Sequence, residues 1–231
     1  SLAQYTGADV AASVDATGLT GNWMLEAQVG FIEASALPPG TEYNSTLGLF
    51  VGTDGNDTLE GTVDDDTLLG GAGSDQITGS GGADYIEGGD ELDEWSGDNI
   101  QGGPGDDTIL GGAGRDTLNS DPGNDSLDGG VGDDYLYHNA GEGNDTLAGG
   151  DGNDTFNVYI SSLTESAAID GGSGDDMIRT YINQEGRLTA SGGAGVDTYF
   201  FLGGSATSAY AITDFTAGTG GDRIDVSALL D

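Results

Sequence analysis

The run GGPGDDTILGGAGRDTLNSDPGNDSLDGGVGDDYLY (102–137) is four consecutive nonamers, and reading it decides the fold. The clearest copies are GGPGDDTIL (102–110), GGAGRDTLN (111–119), GGVGDDYLY (129–137) and, further on, GGDGNDTFN (149–157). Their consensus is G-G-x-G-x-D-x-U-x, with U apolar. In this register the sixth position holds Asp57, Asp66, Asp75, Asp84, Asp98, Asp107, Asp116, Asp125, Asp134, Asp145, Asp154, Asp176 and Asp197. Two places later stand Leu59, Leu68, Ile77, Ile86, Ile100, Ile109, Leu118, Leu127, Leu136, Leu147, Phe156, Ile178 and Tyr199, all apolar or aromatic in a chain that is 35% hydrophobic. A fixed period with a β-favouring residue at one phase marks a solenoid. A Gly/Asp-rich disordered tract would not keep that phase.

Each phase has a physical task. Glycine at positions one, two and four supplies positive φ and close backbone approach in a tight turn. The residue at position eight is the one side chain that a three-residue strand turns inward. Two nonamers then make one coil, with a turn and a strand on each side. Turns eighteen residues apart stack on one edge, placing Asp57 over Asp75, Asp107 over Asp125 and Asp116 over Asp134. Parallel strands stack at roughly 4.8 Å, so successive carboxylates converge with the carbonyls that the glycines leave exposed. The expected fold class is all-β, a right-handed parallel β-roll (a β-helix-like solenoid) with non-repeat β caps at both ends.

Stacked carboxylates repel one another and raise each other's pKa unless a cation separates them. Hard oxygens in a flexible turn suit Ca²⁺, with its six to eight ligands, better than the tight octahedron of Mg²⁺. Zinc is disfavoured, since the chain has no Cys and one His. That residue, His138, falls in an apparent two-residue insertion with Asn139 and reads as an exposed loop residue.

These nonamers resemble the RTX (repeats-in-toxin, hemolysin-type) proteins, whose repeats form a calcium-bound parallel β-roll. The resemblance covers about residues 52–200. It implies several Ca²⁺ ions, each between two turns, held by the position-six Asp of both and by nearby carbonyls. The implied metal residues are the thirteen Asp named above together with Gly102, Gly105, Gly111, Gly114, Gly129, Gly132, Gly149 and Gly152. The repeat also has departures. Asp64 and Ser96 replace the fourth-position glycine of their copies, and about five extra residues around Glu91–Trp95 interrupt the register. Between Asn157 and Ala168, and again between Thr180 and Ser191, copies lack their glycines. That loss makes Asp176 and Asp197 the two expected to lack a stacked partner.

Four Arg, no Lys and 41 acidic residues give a net charge of −37. A chain so charged, with so thin a core, should not stay compact without cations. A row of roughly eight to ten Ca²⁺ would cancel about half of the charge, making ion binding part of the folding free energy. Extracellular calcium modules bind at about 10⁻⁴–10⁻³ M, so the chain is expected to be unfolded inside a cell and folded outside it. The resemblance implies bacterial export through a type I channel. No signal peptide and no apolar run of membrane-spanning length is visible. The chain starts at Ser1 rather than Met, as a fragment or processed form would.

Residues 1–51 carry no nonamer. Trp23, Leu25, Ala27, Val29 and Phe31 alternate with Met24, Glu26, Gln28 and Gly30 as a half-buried strand would, and Leu47, Leu49 and Val51 suggest another strand entering the roll. The expected domains are an N-terminal β cap or small β domain (1–51), the roll (52–200) and a C-terminal capping segment (201–231). Within the last, AYAITDFTAGTGGDRIDVSALLD (209–231) resembles the closing segment of serralysin-type proteases and of the repeat modules of alginate epimerases. The matching residues are Ile212, Asp214, Phe215, Asp222, Arg223, Ile224, Asp225 and Val226. Ile212, Phe215, Ile224, Val226 and Leu229 are read as a plug for the core and Arg223 as a counter-charge. Asp214 and Asp222 are candidates for a terminal ion.

No HExxH, Gly-x-Ser-x-Gly or Cys nucleophile is present, and the repeat accounts for nearly all the acidic pairs. The expected function is therefore non-catalytic: a secreted calcium-binding module with a structural, adhesive or self-assembly role. The alternative is the C-terminal secretion and folding module of a larger protease, lipase or polysaccharide epimerase. Expected partners are calcium, further copies of the chain or a cell-surface component. No nucleic acid is expected, since the charge disfavours polyanions unless calcium bridges the two.

Overall fold

A residue that points inward once per nine positions leaves room for one apolar column on each side of a flattened coil. The computed structural model, which describes residues 48–90, 96–139, 143–162, 164–182, 186–203 and 209–229, shows this arrangement. Two nine-stranded parallel sheets face each other, and the chain crosses from one to the other at every turn. The first sheet stacks β1 (Gly48–Val51), β3 (Asp66–Gly71), β5 (Tyr85–Asp90), β7 (Thr108–Ala113), β9 (Ser126–Val131), β11 (Asn144–Asp151), β13 (Ser166–Ser173), β15 (Arg187–Ser191) and β17 (Ala209–Ile212) in that order. The second stacks β2 (Thr58–Glu60), β4 (Gln76–Thr78), β6 (Asn99–Gln101), β8 (Thr117–Asn119), β10 (Tyr135–His138), β12 (Thr155–Ile160), β14 (Met177–Ile182), β16 (Thr198–Gly203) and β18 (Arg223–Asp225). The molecule is a parallel β-roll, with no α-helix among the described residues.

The register keeps the position-eight side chains in line. Leu59 pairs with Ile77, Ile77 with Ile100, Ile100 with Leu118, and Leu118 with Leu136. The column continues through Phe156 and Ile178 to Tyr199. Opposite it run Leu68, Ile86, Ile109, Leu127, Leu147, Ile169 and Ala190. All are buried, most completely. From β2 to β11 the core is thus one side chain wide per sheet, and each coil depends on its two neighbours.

The ends differ from the sequence expectation in detail. Residues 48–51 do form the entering strand, but Phe50 is the residue packed on the core, while Leu49 and Val51 face outward. The remainder of the N-terminal expectation, including the alternating segment 23–31, lies outside the described residues. At the far end the plug is partial. Ile212 packs on the core, yet Phe215, Ile224 and Val226 are 37%, 47% and 39% exposed. Closure comes instead from Phe201 set edge-on against Tyr210 and from Tyr199 beside Phe215. The side chain of Leu229 lies outside the described residues. Arg223 is exposed and makes no ion pair among them.

Because each coil touches only its neighbours, a cavity at mid-column is not relieved by distant repacking. Leu118→Ala should lower the stability of the calcium-loaded chain by about 3 kcal/mol. Denaturant unfolding at saturating calcium measures this, and a change near zero would contradict the packing described.

Candidate metal rows

The turns that join the two sheets carry the position-six Asp, and the coil sorts them by edge. Turns leaving the first sheet line up Asp57, Asp75, Asp98, Asp116, Asp134, Asp154, Asp176, Asp197 and Asp222 as a long row. Turns leaving the second sheet line up Asp66, Asp84, Asp107, Asp125 and Asp145 as a short row. Along both rows each Asp backbone N–H donates to Oδ1 of the Asp one coil further on, at 2.7–3.1 Å. An outer ladder runs the other way. The position-five N–H of Ser74, Ala83, Asn124, Asn144, Asn153, Asp175 and Val196 each donates to the side-chain oxygen of the position-five residue one coil before.

The second carboxylate oxygens have a different fate. Asp57 Oδ2 and Asp66 Oδ2 accept from the N–H and hydroxyl of Thr53 and Thr62. Ten others are buried with no hydrogen-bond partner. They are Oδ2 of Asp75, Asp98, Asp116, Asp134, Asp154, Asp176 and Asp197 on the long row, and of Asp84, Asp107 and Asp125 on the short row. A buried acceptor left without a donor costs on the order of 1–3 kcal/mol, more when charged. Ten in register point to a missing cationic partner.

The glycines show where that partner fits. A Cβ placed on Gly111 would lie 2.5 Å from Asp116 Oδ2 and 2.5 Å from the carbonyl oxygen of Gly129 on the next coil. Position one is glycine because two oxygens converge on the space a side chain would fill. The same pair recurs at Gly70, Gly79, Gly88, Gly129, Gly149 and Gly171, with the carbonyls of Gly88, Gly102, Gly111, Gly149, Gly171 and Gly192. Position two is glycine for a second reason: Gly112 has φ +113° and lies against the backbone of Gly89. Among the described residues no three acidic or imidazole side chains gather at one point. The carboxylates form lines, so further ligands must be main-chain oxygens. All-oxygen, mixed carboxylate and carbonyl sites fit Ca²⁺.

Electrostatics agrees. Burial pushes the carboxyl groups up from an ordinary 3.8, donation from the preceding Asp N–H pulls partly back, and for most of them neighbouring carboxylates push up again. Asp84, Asp116 and Asp154 reach about 6, Asp107 and Asp176 about 7, and Asp125 and Asp134 about 8. Without a cation, Asp107, Asp125, Asp134 and Asp176 would hold protons near neutral pH.

Three sequence expectations need correction. Asp176 and Asp197 do not lack stacked partners: Asp176 lies between Asp154 and Asp197, and Asp197 between Asp176 and Asp222. The row that ends early is the other one, where Asp145 pairs in register with Ala167. The interruption at 91–95 lies outside the described residues, but the stack is kept across it, from Asp75 to Asp98 and from Asp84 to Asp107. His138 is not an exposed loop residue. It ends β10, is 1% exposed, and sets Nδ1 2.6 Å from Asp145 Oδ2. Asp214 and Asp222 are held by donors: Ser191 Oγ and the N–H groups of Gly192 and Gly193 for the first, the N–H groups of Asp197 and Thr216 for the second. Gly102, Gly111, Gly129 and Gly149 line the rows through their carbonyls, while Gly105, Gly114, Gly132 and Gly152 form the turn tips with φ between +133° and +148°.

Comparison with known families accords with this geometry. A model of the RTX calcium-binding nonapeptide repeat matches in overlapping copies at 51–86, 60–93, 95–127, 111–142 and 139–158. A separate model, a domain of unknown function (DUF4347), matches residues 1–47. No curated protein matches the chain. Residues 51–93 and 95–158 are thus RTX calcium-binding nonapeptide repeats, and repeats in this number imply several Ca²⁺ ions.

Proposed function

We propose that this chain is a secreted, non-catalytic rod that folds where calcium is abundant and then serves as a structural, adhesive or self-assembling element. The observation that carries this reading is the set of ten buried carboxylate oxygens with no donor, aligned along two edges of a chain of charge −37. In this reading the ions lie along Asp75–Asp197 on the long row and Asp84–Asp125 on the short row. Bound Ca²⁺ supplies positive charge between coils. The chain contributes the Asp Oδ2 atoms and the position-one glycine carbonyls, with the carbonyls of Gly105, Gly114, Gly132 and Gly152 as further candidates. Binding free energy of this kind is folding free energy. Sites of the extracellular class would stay empty at cytosolic calcium, leaving an extended chain fit for a type I channel.

A second reading is favoured by the distinct family match over 1–47, directly before β1. The roll would then be one module of a larger secreted protein, catalytic or adhesive. The full gene sequence separates the two readings: an upstream catalytic motif favours the second.

Chelator should abolish the β-type circular dichroism, and millimolar calcium should restore it. A β spectrum that survives chelation would overturn calcium-gated folding. Light scattering in the same titration reports assembly, and a strictly monomeric loaded form would remove the self-assembly role while leaving the folding role intact.

Acid should imitate the ions in part. Folded-state carboxyl values of about 6–8 exceed the ordinary 3.8, so this contribution to metal-free stability is fully present below pH about 4. It is lost as the pH rises through about 6–8. Calcium must displace those protons. Its apparent affinity should therefore be at least about tenfold weaker at pH about 5.5 than at pH about 8. A calcium titration followed by circular dichroism at the two pH values tests this, and equal affinities would contradict it.

A further inference from the structure

The short edge changes character midway along the rod. Its position-one column runs Gly61, Gly79, Gly102 and Ser120, each N–H donating to a carbonyl of the adjoining coil, and then His138 at the end of β10. In the next coil the column holds Val158, which is 1% exposed. The Asp row changes at the same level, with Ala167 and Leu188 standing where Asp would continue after Asp145. Beyond this point the edge is lined by buried Ile160, Ile182 and Leu188. One turn there is closed by a buried Glu165 that accepts from the N–H groups of Ser161 and Ser162. Nothing comparable occurs on the long edge, where GGxGxD is kept at 149–154, 171–176 and 192–197 apart from the varied third and fifth residues.

We propose that His138 terminates the calcium row of the short edge, its imidazole filling the space that glycine leaves open for an ion in the earlier coils. At Gly79 and Gly102, the preceding glycines of this column, a Cβ would meet the Oδ2 of Asp84 or Asp107 within 2.4 Å. His138 directs a side chain into the equivalent place, with Nδ1 2.6 Å from Asp145 Oδ2 and both side chains fully buried. Asp84, Asp107 and Asp125 leave Oδ2 without a partner; Asp145 does not. The next coil offers no carboxylate to share an ion, since Ala167 faces Asp145. His138 Nε2 has no partner, and no third acidic or imidazole side chain gathers there, so the pair is a plug and not a metal centre. The two edges of the C-terminal half would then be held differently: one by ions as far as Asp197, the other by apolar packing without them.

This inference rests on the row reading above, and counting bound calcium separates the two. Equilibrium dialysis of the full chain at saturating calcium should give Asp145→Asn the wild-type count, whereas Asp107→Asn loses at least one ion. The double variant H138G/A167D, which restores glycine and carboxylate together, should gain one. Loss of an ion in Asp145→Asn overturns the proposal. Should that variant fail to fold, His138→Gln, which keeps the space filled, should also hold the wild-type count, and a lower or higher count overturns the proposal equally. If Asp107→Asn keeps every ion, the short row holds none there and both readings fall.

Discussion

The bond on which the rest of this structure depends is the one from each Asp backbone N–H to the carboxylate of the Asp one coil further on. It is made twelve times among the described residues, eight on the long row and four on the short, and it does two things at once. It fixes the spacing of the turns, so that strands three residues long, such as Thr58–Glu60 and Gln76–Thr78, pair in register despite their few ladder bonds. It also spends one carboxylate oxygen and leaves the other turned into a buried space. A hydrogen bond to a charged acceptor is among the stronger ones, but here it stabilises a coil only by concentrating negative charge beside the next. The fold and its need for a cation therefore come from the same side chain.

Glycine makes that arrangement sterically possible. At Gly111 the reason is room, because two oxygens occupy the position of a side chain. At Gly112 the reason is a positive φ against the neighbouring coil. One motif thus encodes two unrelated constraints in adjacent letters, and they fail separately. Asp121, at position two, accepts the left-handed φ of +58°, as Asp does more readily than most residues. At position one the replacements are Ser120 and His138, whose side chains enter the oxygen-lined space, and there the short row begins to close.

The columns, the stacking of Asp57 on Asp75 and of Asp116 on Asp134, and the oxygen chemistry were all readable from a nine-residue period, because that period is set by local turn geometry. The fates of Asp176 and Asp145 were not. Adjacent nonamers lie on opposite edges, so the glycine-poor copies at 157–168 and 180–191 remove turns from the short edge alone. The long edge bridges the same intervals with longer coils, 22 residues from Asp154 to Asp176 and 21 from there to Asp197. The strands compensate: β12 and β14 run to Ile160 and Ile182, adding inward apolar residues where an ion turn would have been. The burial of His138 was hidden for a related reason. A two-residue insertion reads as a bulge into solvent, but the strand extends through His138 and the extra residues fall after it.

A rod built this way has one edge that is uniform and one that is divided. On the uniform edge the coils from Asp75 to Asp197 share one requirement, so their ions would act as a single cooperative series, each coil ordered by the one beside it. On the divided edge the requirement stops at Asp145, and the later coils gain apolar contacts such as Val158, Ile182 and Leu188 in exchange. Apolar packing does not depend on calcium, but the other edge of the same coils still carries the unpartnered Oδ2 atoms of Asp154, Asp176 and Asp197. On the proposed reading the C-terminal half would thus be the better prepared to fold, while its long edge would still call for cations. If folding is gated by calcium as proposed, that division places the readiest nucleus in the later coils of the roll.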